Sequence, residues 1–330
     1  MTIAIEDPLR DARRAVRAGR FRDAWEALSR QPAEVRRSAE WHLLAAMARW
    51  RLGDFQPSRV AALQARDAYR AQGDIDGEMR AENVAAAGAF AMGELDEAEA
   101  GFSRALSLAE RLGDDLMLAR CANNLGNVAF YRGQHRRAQA FYRLAQALFE
   151  RVGMRHGVAE TWINLGIVSR ELNRVEESRE AAERALEIAE QIPSPRLSAQ
   201  ALIMRGEALA LSGDTALGRT QVLKGLETAR AEEDPLAEIE GLRILGELER
   251  RAGNRTAAQE LLDRALALAE KLGHTWSLAE VEGARGDLLA ELGRREEALA
   301  AWARSAGAYE RIGAGKRAAR MRELARGRSP

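Results

Sequence analysis

One short pattern returns along this chain every forty residues. It consists of a small turn residue followed by a helix-forming segment, with alanine five residues later in most copies. The turn residues are Gly53, Gly93, Gly133, Asn173, Gly213, Gly253 and Gly293. A second break follows each of them twenty residues later, at Gly73, Gly113, Gly153, Pro193, Glu233, Gly273 and Gly313. Two breaks per period predict two helices per period, and therefore an array of stacked helical hairpins.

The residue types at these breaks fit helix ends. Glycine adopts the left-handed conformation that commonly follows a helix C-terminus, and Asn173 is the other residue type that adopts it readily. In the second series Pro193 and Pro195 replace the glycine, and Pro235 follows Glu233. All seven prolines fall in predicted loops or first helical turns. The predicted helix interiors are therefore free of proline, as a helical array requires.

Small residues also repeat where neighbouring helices would touch. Seven residues before successive turns stand Ala46, Ala86, Gly126, Gly166, Gly206, Gly246 and Gly286. Side chains of this size let two helix backbones approach closely. Aromatic residues make up only 5% of the chain, which is typical of closely packed helices with small side chains between them. The sequence therefore predicts an all-α fold and disfavours strands.

Two copies of the pattern carry a family resemblance. The residues are Asn124, Leu125, Gly126, Gly133, Ala138, Tyr142 and Ala145 in one copy, and Trp162, Asn164, Leu165, Gly166, Asn173, Ala182 and Ala185 in the next. They resemble the tetratricopeptide repeat. The forty-residue spacing resembles the longer-repeat subclass found in bacterial regulatory proteins, kinesin light chains and spindle-orientation scaffolds. The resemblance implies an α-solenoid, a right-handed superhelix of about eight helix-turn-helix repeats with a C-terminal capping helix.

We expect this solenoid to be a single domain over residues 1–330. A short first repeat with its turn at Gly19 occupies residues 1–32, and seven repeats of about forty residues occupy 33–313. The amphipathic segment 314–327 is predicted to cap the last repeat, and 328–330 to form a tail.

Charge and composition argue against several classes of partner. The 50 Lys and Arg residues balance the 50 Asp and Glu residues, so no net charge favours nucleic acid or an anionic membrane. No run of about 18 apolar residues occurs, which argues against a membrane span or signal peptide. The single cysteine, Cys121, excludes an intramolecular disulfide framework and fits a reducing cytoplasm.

The sequence offers no constellation of catalytic or metal-binding residues. The histidines His42, His135, His156 and His274 are scattered without the spacing of metal ligands. The segment Gly313–Lys316 resembles a phosphate loop, but it lacks the first glycine, and Arg317 replaces the required Ser or Thr. We therefore predict no enzymatic activity, no cofactor and no metal.

In proteins of this resemblance the first helices of the repeats line a concave groove, which implies a set of binding residues. The N-terminal half of the groove would contain Trp50, Arg80, Asn83, Phe90, Arg120, Asn123, Asn127, Phe130 and Tyr131. The C-terminal half would contain Glu160, Arg170, Glu207, Arg243 and Glu247. Glu171 and Glu280 also stand at groove-facing positions of their repeats. Asn amides can satisfy the backbone of a peptide of varying sequence, and Arg pairs with carboxylates. Core packing of Trp50, Phe90 and Phe130, and a merely solvated face for the charged half, are the competing interpretations.

Three functions follow from this surface. The first is a non-catalytic scaffold or adaptor that binds a protein or peptide in the groove, with an acidic segment near one end of the partner and a basic segment near the other. The second is a sensor or regulatory subunit of a bacterial signalling or transcriptional system, acting through a separate output protein. The third, disfavoured by the neutral charge, is RNA binding. We expect a monomer or a weak homo-oligomer, with exposed faces of Trp25, Trp41 or Trp276 available to a second copy.

Overall fold

A computed structural model describes residues 7–192 and 194–327. Residues 1–6 of the predicted first repeat, the predicted break at Pro193 and the predicted tail 328–330 lie outside these described residues. Within the described ranges the chain forms helices and no strand. In chain order these are α1 (Arg10–Arg17), α2 (Phe21–Ser29), α3 (Ala33–Arg36), α4 (Ala39–Arg51), α5 (Phe55–Gln72), α6 (Ile75–Ala91), α7 (Leu95–Leu112), α8 (Asp115–Tyr131), α9 (His135–Arg151), α10 (Arg155–Glu171), α11 (Val175–Gln191), α12 (Pro195–Leu211), α13 (Thr215–Ala231), α14 (Pro235–Arg251), α15 (Arg255–Leu272), α16 (Thr275–Glu291), α17 (Arg295–Arg311) and α18 (Gly315–Ala325).

The forty-residue period is confirmed in the helix boundaries. We call α6, α8, α10, α12, α14, α16 and α18 first helices, and they begin forty residues apart, from Ile75 to Gly315. The second helices α5, α7, α9, α11, α13, α15 and α17 keep the same interval, from Phe55 to Arg295. With α4 as a further first helix and the short pair α1 and α2, the described residues contain eight helix pairs and the final helix α18.

Left-handed residues end the helices at the predicted breaks. Gly73 and Gly113 have φ of 71° and 67°, and two breaks without glycine, Asn173 and Glu233, have φ of 58° and 50°. Next to Glu233, the Asp234 carboxylate accepts a hydrogen bond from the Ala237 amide at 3.2 Å and caps α14. The sequence position of the break, and not glycine alone, therefore determines where each helix stops.

The chain divides into two compact units, unit 1 (1–128) and unit 2 (129–330). In unit 1 the core contains Met79, Ala105, Ala109 and Met117, with Cys121 fully buried among them. Burial raises the pKa of the Cys121 thiol to about 12. The thiol therefore belongs to the core, as expected for an isolated cysteine on a helix.

Close contact between helix backbones is most pronounced in unit 2, between α12 and α13. A Cβ atom added at Gly206 would lie 2.6 Å from the Gly218 carbonyl oxygen, and one added at Gly225 would lie 2.8 Å from that of Ala199. Gly206 is one of the small residues that the sequence places seven positions before a turn. Its predicted role, allowing two backbones to approach, is confirmed.

The last helix covers the end of unit 2. Ala318 of α18 is buried against Ala279 of α16 and against Tyr309 and Ile312. This is the predicted capping helix. No helix in residues 7–192 and 194–327 is long and apolar enough to cross a membrane.

Candidate functional site

In unit 1 the predicted amide residues lie on the first helices, where they connect neighbouring repeats. The Asn83 Oδ1 of α6 accepts a hydrogen bond from the Asn124 Nδ2 of α8 at 3.3 Å, and the Cys121 Sγ lies 3.8 Å from the same oxygen. Asn123 and Asn127, also on α8, are half-buried. Asn83 is therefore held by α8, while its immediate neighbours on the helix surface remain partly accessible.

The predicted arginines of unit 1 are exposed. Arg80 forms a loose ion pair with Asp76, one helical turn earlier, at 3.5 Å. The Arg120 guanidinium lies 4.0 Å from the Met117 sulfur. Exposed ion pairs such as that of Arg80 with Asp76 contribute little to stability.

The predicted aromatic residues of unit 1 are partly in the helix packing. Trp50 is half-buried, and its ring lies edge-on to Phe55 of α5 with ring centroids 6.4 Å apart. Its indole Nε1 is buried without a hydrogen-bond partner among the described residues. The Arg51 guanidinium lies 5.1 Å from the Trp50 ring. Phe90 is also half-buried. Both rings are thus partly accessible, as a groove residue would be, and Trp50 also packs against Phe55, as a core residue would.

In unit 2 the charged residues of the first helices contact one another. We call this surface, formed by α10, α12, α14, α16 and α18, the inner face. Arg170 of α10 donates to Glu207 of α12 at 2.7 Å and to Glu171 at 3.1 Å, and lies 3.6 Å from Glu240 of α14. The guanidinium thus connects carboxylates from three successive repeats.

Arg243 of α14 continues this network. Its guanidinium donates to Glu240 at 2.6 Å and 2.9 Å, donates to Glu247, and lies 4.0 Å from Glu207. The Arg243 side chain is only 5% exposed. The competing interpretation of these charges as a solvated helix face is therefore wrong for Arg243, which is buried among carboxylates.

Burial and neighbouring charges set opposite pKa shifts within the network. Burial alone would raise the pKa of Glu240, but the positive charges of Arg243 and Arg170 outweigh it and hold the pKa at about 2. Burial raises the pKa of Glu207, and the nearby carboxylates of Glu240 and Glu247 add to this shift. The inner face therefore holds carboxylates of unequal proton affinity within one network.

A cluster of aromatic rings adjoins the charges. Tyr131, at the end of α8, packs against Trp276 of α16 with ring centroids 4.4 Å apart and ring planes tilted by 37°. Phe130 lies 5.4 Å from Trp276, and Tyr309 of α17 lies 5.6 Å from it. Phe130 is 8% exposed and packs with Ala138 and Tyr142, so the core interpretation is right for this ring.

Arg317 of the final helix joins the aromatic cluster to the charged network. Its guanidinium lies 2.6 Å from a Glu171 oxygen and 2.7 Å from a Glu280 oxygen, and 4.9 Å from the centroid of the Trp276 ring. Burial alone would lower the pKa of Arg317, but the Glu280 and Glu171 carboxylates raise it above its ordinary value. Ion pairs therefore run continuously along the inner face, from Arg243 of α14 through Arg170 of α10 and Arg317 of α18 to Glu280 of α16.

Three residues of this array were missed by sequence reasoning. The sequence predicts an exposed face of Trp276 for a second copy, but Trp276 packs against Tyr131 and Phe130 within unit 2. Tyr309 and Arg317 carried no groove prediction. One sequence signal could have placed Trp276 on the inner face: it lies one helical turn before Glu280, a predicted groove residue on α16.

The other predicted residues are accounted for separately. Glu160 is exposed on α10 and lies 3.7 Å from the His156 ring. In unit 1, Trp41 donates its indole N–H to the Leu28 carbonyl at 3.0 Å and lies 6.5 Å from Trp25, so both rings have partners within the chain. Among residues 7–192 and 194–327, no three His, Cys, Asp or Glu side chains gather closely enough to hold a metal ion.

Stacked helical hairpins in each unit define an α-solenoid of the repeat type. Family models of the tetratricopeptide repeat match residues 77–151 and 159–192. The chain therefore contains tetratricopeptide repeats in these two segments. Its membership of the forty-residue subclass stays a prediction.

A curated relative has a regulatory role in its name. The chain is 26% identical over 254 residues to the regulatory protein AfsR of Streptomyces griseus. The match covers 77% of this chain and 25% of the relative. The chain therefore spans about a quarter of the length of the curated relative that it matches.

Solved structures with the same fold include two that hold a peptide ligand or signalling factor. The structure of NprR in complex with its cognate peptide NprX matches with a TM-score of 0.69 and 11% identity, over 99% of this chain and 98% of that chain. A Rap protein complexed with competence and sporulation factor matches with a TM-score of 0.66 and 13% identity, over 97% of this chain and 96% of that chain. At these identities the likeness shows the fold.

Proposed function

We propose that this protein is a peptide-binding regulatory adaptor that uses the faces of its first helices and performs no chemistry of its own. The observation that carries the proposal is the half-buried network on the inner face. Its donors and acceptors, Arg170, Glu207 and Arg243, come from three successive repeats, and Glu207 lies 2.7 Å from the Arg170 guanidinium and 4.0 Å from that of Arg243. Such an array offers regularly spaced partners for the polar groups of an extended peptide.

Unit 1 supplies a second set of contacts in this proposal. Arg80 and Arg120 are exposed and spaced one repeat apart, so they suit carboxylates on the partner. Asn123 and Asn127 offer both donors and acceptors next to them. Trp50 adds aromatic area at low entropic cost.

The regulatory part of the proposal is supported by the comparisons. NprR is named with a cognate peptide and the Rap protein with a competence and sporulation factor, and AfsR is named a regulatory protein. By analogy, peptide binding here would change the arrangement of the repeats and so the activity of an output protein. A plain scaffold without such a change is the second candidate. We also propose a cytoplasmic location and a monomer or weak homo-oligomer.

A random peptide library displayed against the purified protein tests the proposal. The test variant is Arg120→Ala, Asn123→Ala, Asn127→Ala in unit 1, with a second variant Arg170→Ala in unit 2. Arg143→Ala, on the exposed surface of α9, is the matched control. We expect peptides enriched on the wild type to bind the control equally and at least one test variant about tenfold more weakly, a difference of about 1.4 kcal/mol.

Circular dichroism must show that each variant keeps its helices. Peptides that bind all four proteins with equal affinity would place the binding surface elsewhere. The absence of any enriched peptide would overturn the proposal.

A further inference from the structure

The final helix places one arginine in a site made by other repeats. Arg317 is the third residue of α18, and its guanidinium lies between Glu171 of α10 and Glu280 of α16, at 2.6 Å and 2.7 Å. The Arg317 side chain is 20% exposed, and those of Glu171 and Glu280 are 20% and 13% exposed. Two carboxylates from different helices thus form ion pairs with one guanidinium.

Aromatic rings complete the surroundings of the guanidinium. The Trp276 ring centroid lies 4.9 Å from the Arg317 Cζ, and those of Phe130 and Tyr309 each lie 5.7 Å from it. The Tyr309 hydroxyl also donates a hydrogen bond to Glu280. We call Phe130, Glu171, Trp276, Glu280 and Tyr309 the cage. Ring faces and carboxylates around one position are the groups that bind a planar, delocalised cation.

The helix that supplies Arg317 is short. α18 has eleven residues, and Ala318 is its one fully buried residue. Helices of this length are marginal on their own, so α18 depends on its contacts with the rest of unit 2. Lys316, Arg320 and Arg322 of the same helix are exposed. Besides Arg317 in the cage, these contacts come from Ala318 and Met321, which pack with Ala279 and Ile312.

The cage does not depend on α18 for its own construction. Its members come from α8, α10, α16 and α17, and four of them contact one another directly: Trp276 with Phe130 and Tyr309, and Tyr309 with Glu280. Glu171 is held separately by Arg170 at 3.1 Å. Removal of Arg317 therefore leaves an assembled acceptor for a guanidinium.

We propose that the cage is a guanidinium-binding site, filled by Arg317 in the free protein and taken by an arginine of the partner peptide, which displaces α18. This inference rests on the proposed function and deepens it, because it specifies the residue type that the partner must carry. The intramolecular arginine competes with the partner. Binding and release of the final helix are then one event.

Direct binding of N-acetyl-L-arginine amide tests the cage without any unidentified peptide. The proteins compared are wild type, Arg317→Ala, and the control Arg322→Ala, which removes a guanidinium of α18 that pairs with Glu310 outside the cage. We expect Arg317→Ala to bind the probe at least about tenfold more tightly than the other two, because Arg317 occupies the cage in those proteins. Adding Glu280→Gln to Arg317→Ala should abolish this gain.

N-acetyl-L-lysine amide is the matched probe. It carries the same charge without the planar fork, and we expect it to bind Arg317→Ala clearly more weakly. Equal binding of the arginine probe to all variants, or no binding to a folded Arg317→Ala, would overturn the proposal.

A measurement on the wild type keeps the test decisive if Arg317→Ala does not fold. Hydrogen exchange of the α18 amides should accelerate in saturating N-acetyl-L-arginine amide and stay unchanged in the lysine probe. Unchanged exchange in both would contradict the proposal.

The library peptides separate this inference from the proposed function. Peptides that bind the wild type, contain no arginine and leave α18 exchange unchanged would refute the cage while leaving peptide binding intact. Probe binding at the cage together with a library that yields no peptide would refute the proposed function instead.

Discussion

Arg104 donates two hydrogen bonds to the carboxylate of Glu82, at 3.0 Å and 3.1 Å, and so ties the second helix of a hairpin to its first helix. Glu82 is 1% exposed, while Arg104 is half in solvent. The same arrangement recurs in unit 2, where Arg304 donates to the buried Glu282 at 2.6 Å and 3.0 Å. Both pairs are separated by 22 residues and stand at the same positions of their hairpins.

Because Glu82 is buried and Arg104 is half exposed, substituting one or the other should lower the free energy of unfolding by different amounts. Arg104→Ala leaves a buried carboxylate with only Arg66 and Arg70 nearby, at 3.7 Å and 3.6 Å. We expect a loss of about 2–4 kcal/mol in the free energy of unfolding, measured in urea. Glu82→Gln keeps the shape, and the arginines it leaves reach water, so about 1 kcal/mol is expected. Arg184→Ala, which breaks an exposed pair with Glu187, is the control and should cost less than about 0.5 kcal/mol. An equal cost for Arg104→Ala and the control would contradict this account.

The close approach of α12 and α13 predicts opposite effects at two helical glycines. In Gly206→Ala the new methyl group would meet the Gly218 carbonyl oxygen at 2.6 Å, and backbone cannot move aside as a side chain can. We expect a loss of about 1–3 kcal/mol. Gly307, inside α17, has no described atom within 4 Å of a Cβ atom, so Gly307→Ala should raise stability by up to about 1 kcal/mol. Urea denaturation of both variants measures the difference. Destabilisation of similar size in both would show that packing at Gly206 is not the cause.

Acid should weaken unit 2 through Glu240. Burial opposes ionisation there, but Arg243 and Arg170 hold the folded-state pKa at about 2, below the ordinary value of 4.5. The unfolded chain therefore binds the proton first as the pH falls, so the stabilisation present above pH 4.5 is lost between 4.5 and 2. Because the Glu240 side chain is 40% exposed, we expect a modest effect, about 1 kcal/mol at neutral pH.

Glu240→Gln tests this prediction. The variant should be less stable than the wild type at neutral pH, and the difference should disappear as the pH approaches 2. Glu180→Gln, at an exposed position of α11, serves as the control. Thermal unfolding from pH 7 to pH 2 measures both. A difference between wild type and Glu240→Gln that stays constant with pH would mean that the lost carboxylate acts through shape and not through charge.

Cys121 should be unreactive in the native protein. Its thiol is fully buried, and burial raises its pKa to about 12, so almost no thiolate exists at pH 8. We expect no reaction with Ellman's reagent at pH 8 until urea unfolds unit 1, and then one equivalent per chain. Rapid labelling in native buffer would show that α6 and α8 open far more readily than their packing indicates.

The helices could be predicted from sequence because each depends on nearby residues. The break at Glu233 followed from its register with Gly213 and from Pro235, although glutamate is not a usual left-handed residue. The relation between Arg170 and Glu207 was also within reach, since both stand at predicted groove positions of adjacent repeats. Arg317 was not, because its contact with Glu171 depends on the curvature accumulated over several repeats. Phe130 was assigned to the groove for the same reason, as Trp276, the ring that helps bury it, lies 146 positions later in the chain.

The Arg317 to Glu171 contact has a consequence for how the length of such a protein can change. Deleting one forty-residue repeat between α10 and α18 would preserve the phase of every remaining hairpin, because the turns and small residues would still coincide. It would also shorten the arc that brings α18 back to α10, so the two side chains would no longer meet. The pair therefore depends on the number of hairpins between α10 and α18. Local packing tolerates any whole number of hairpins, but this ion pair forms only with the number present between those two helices.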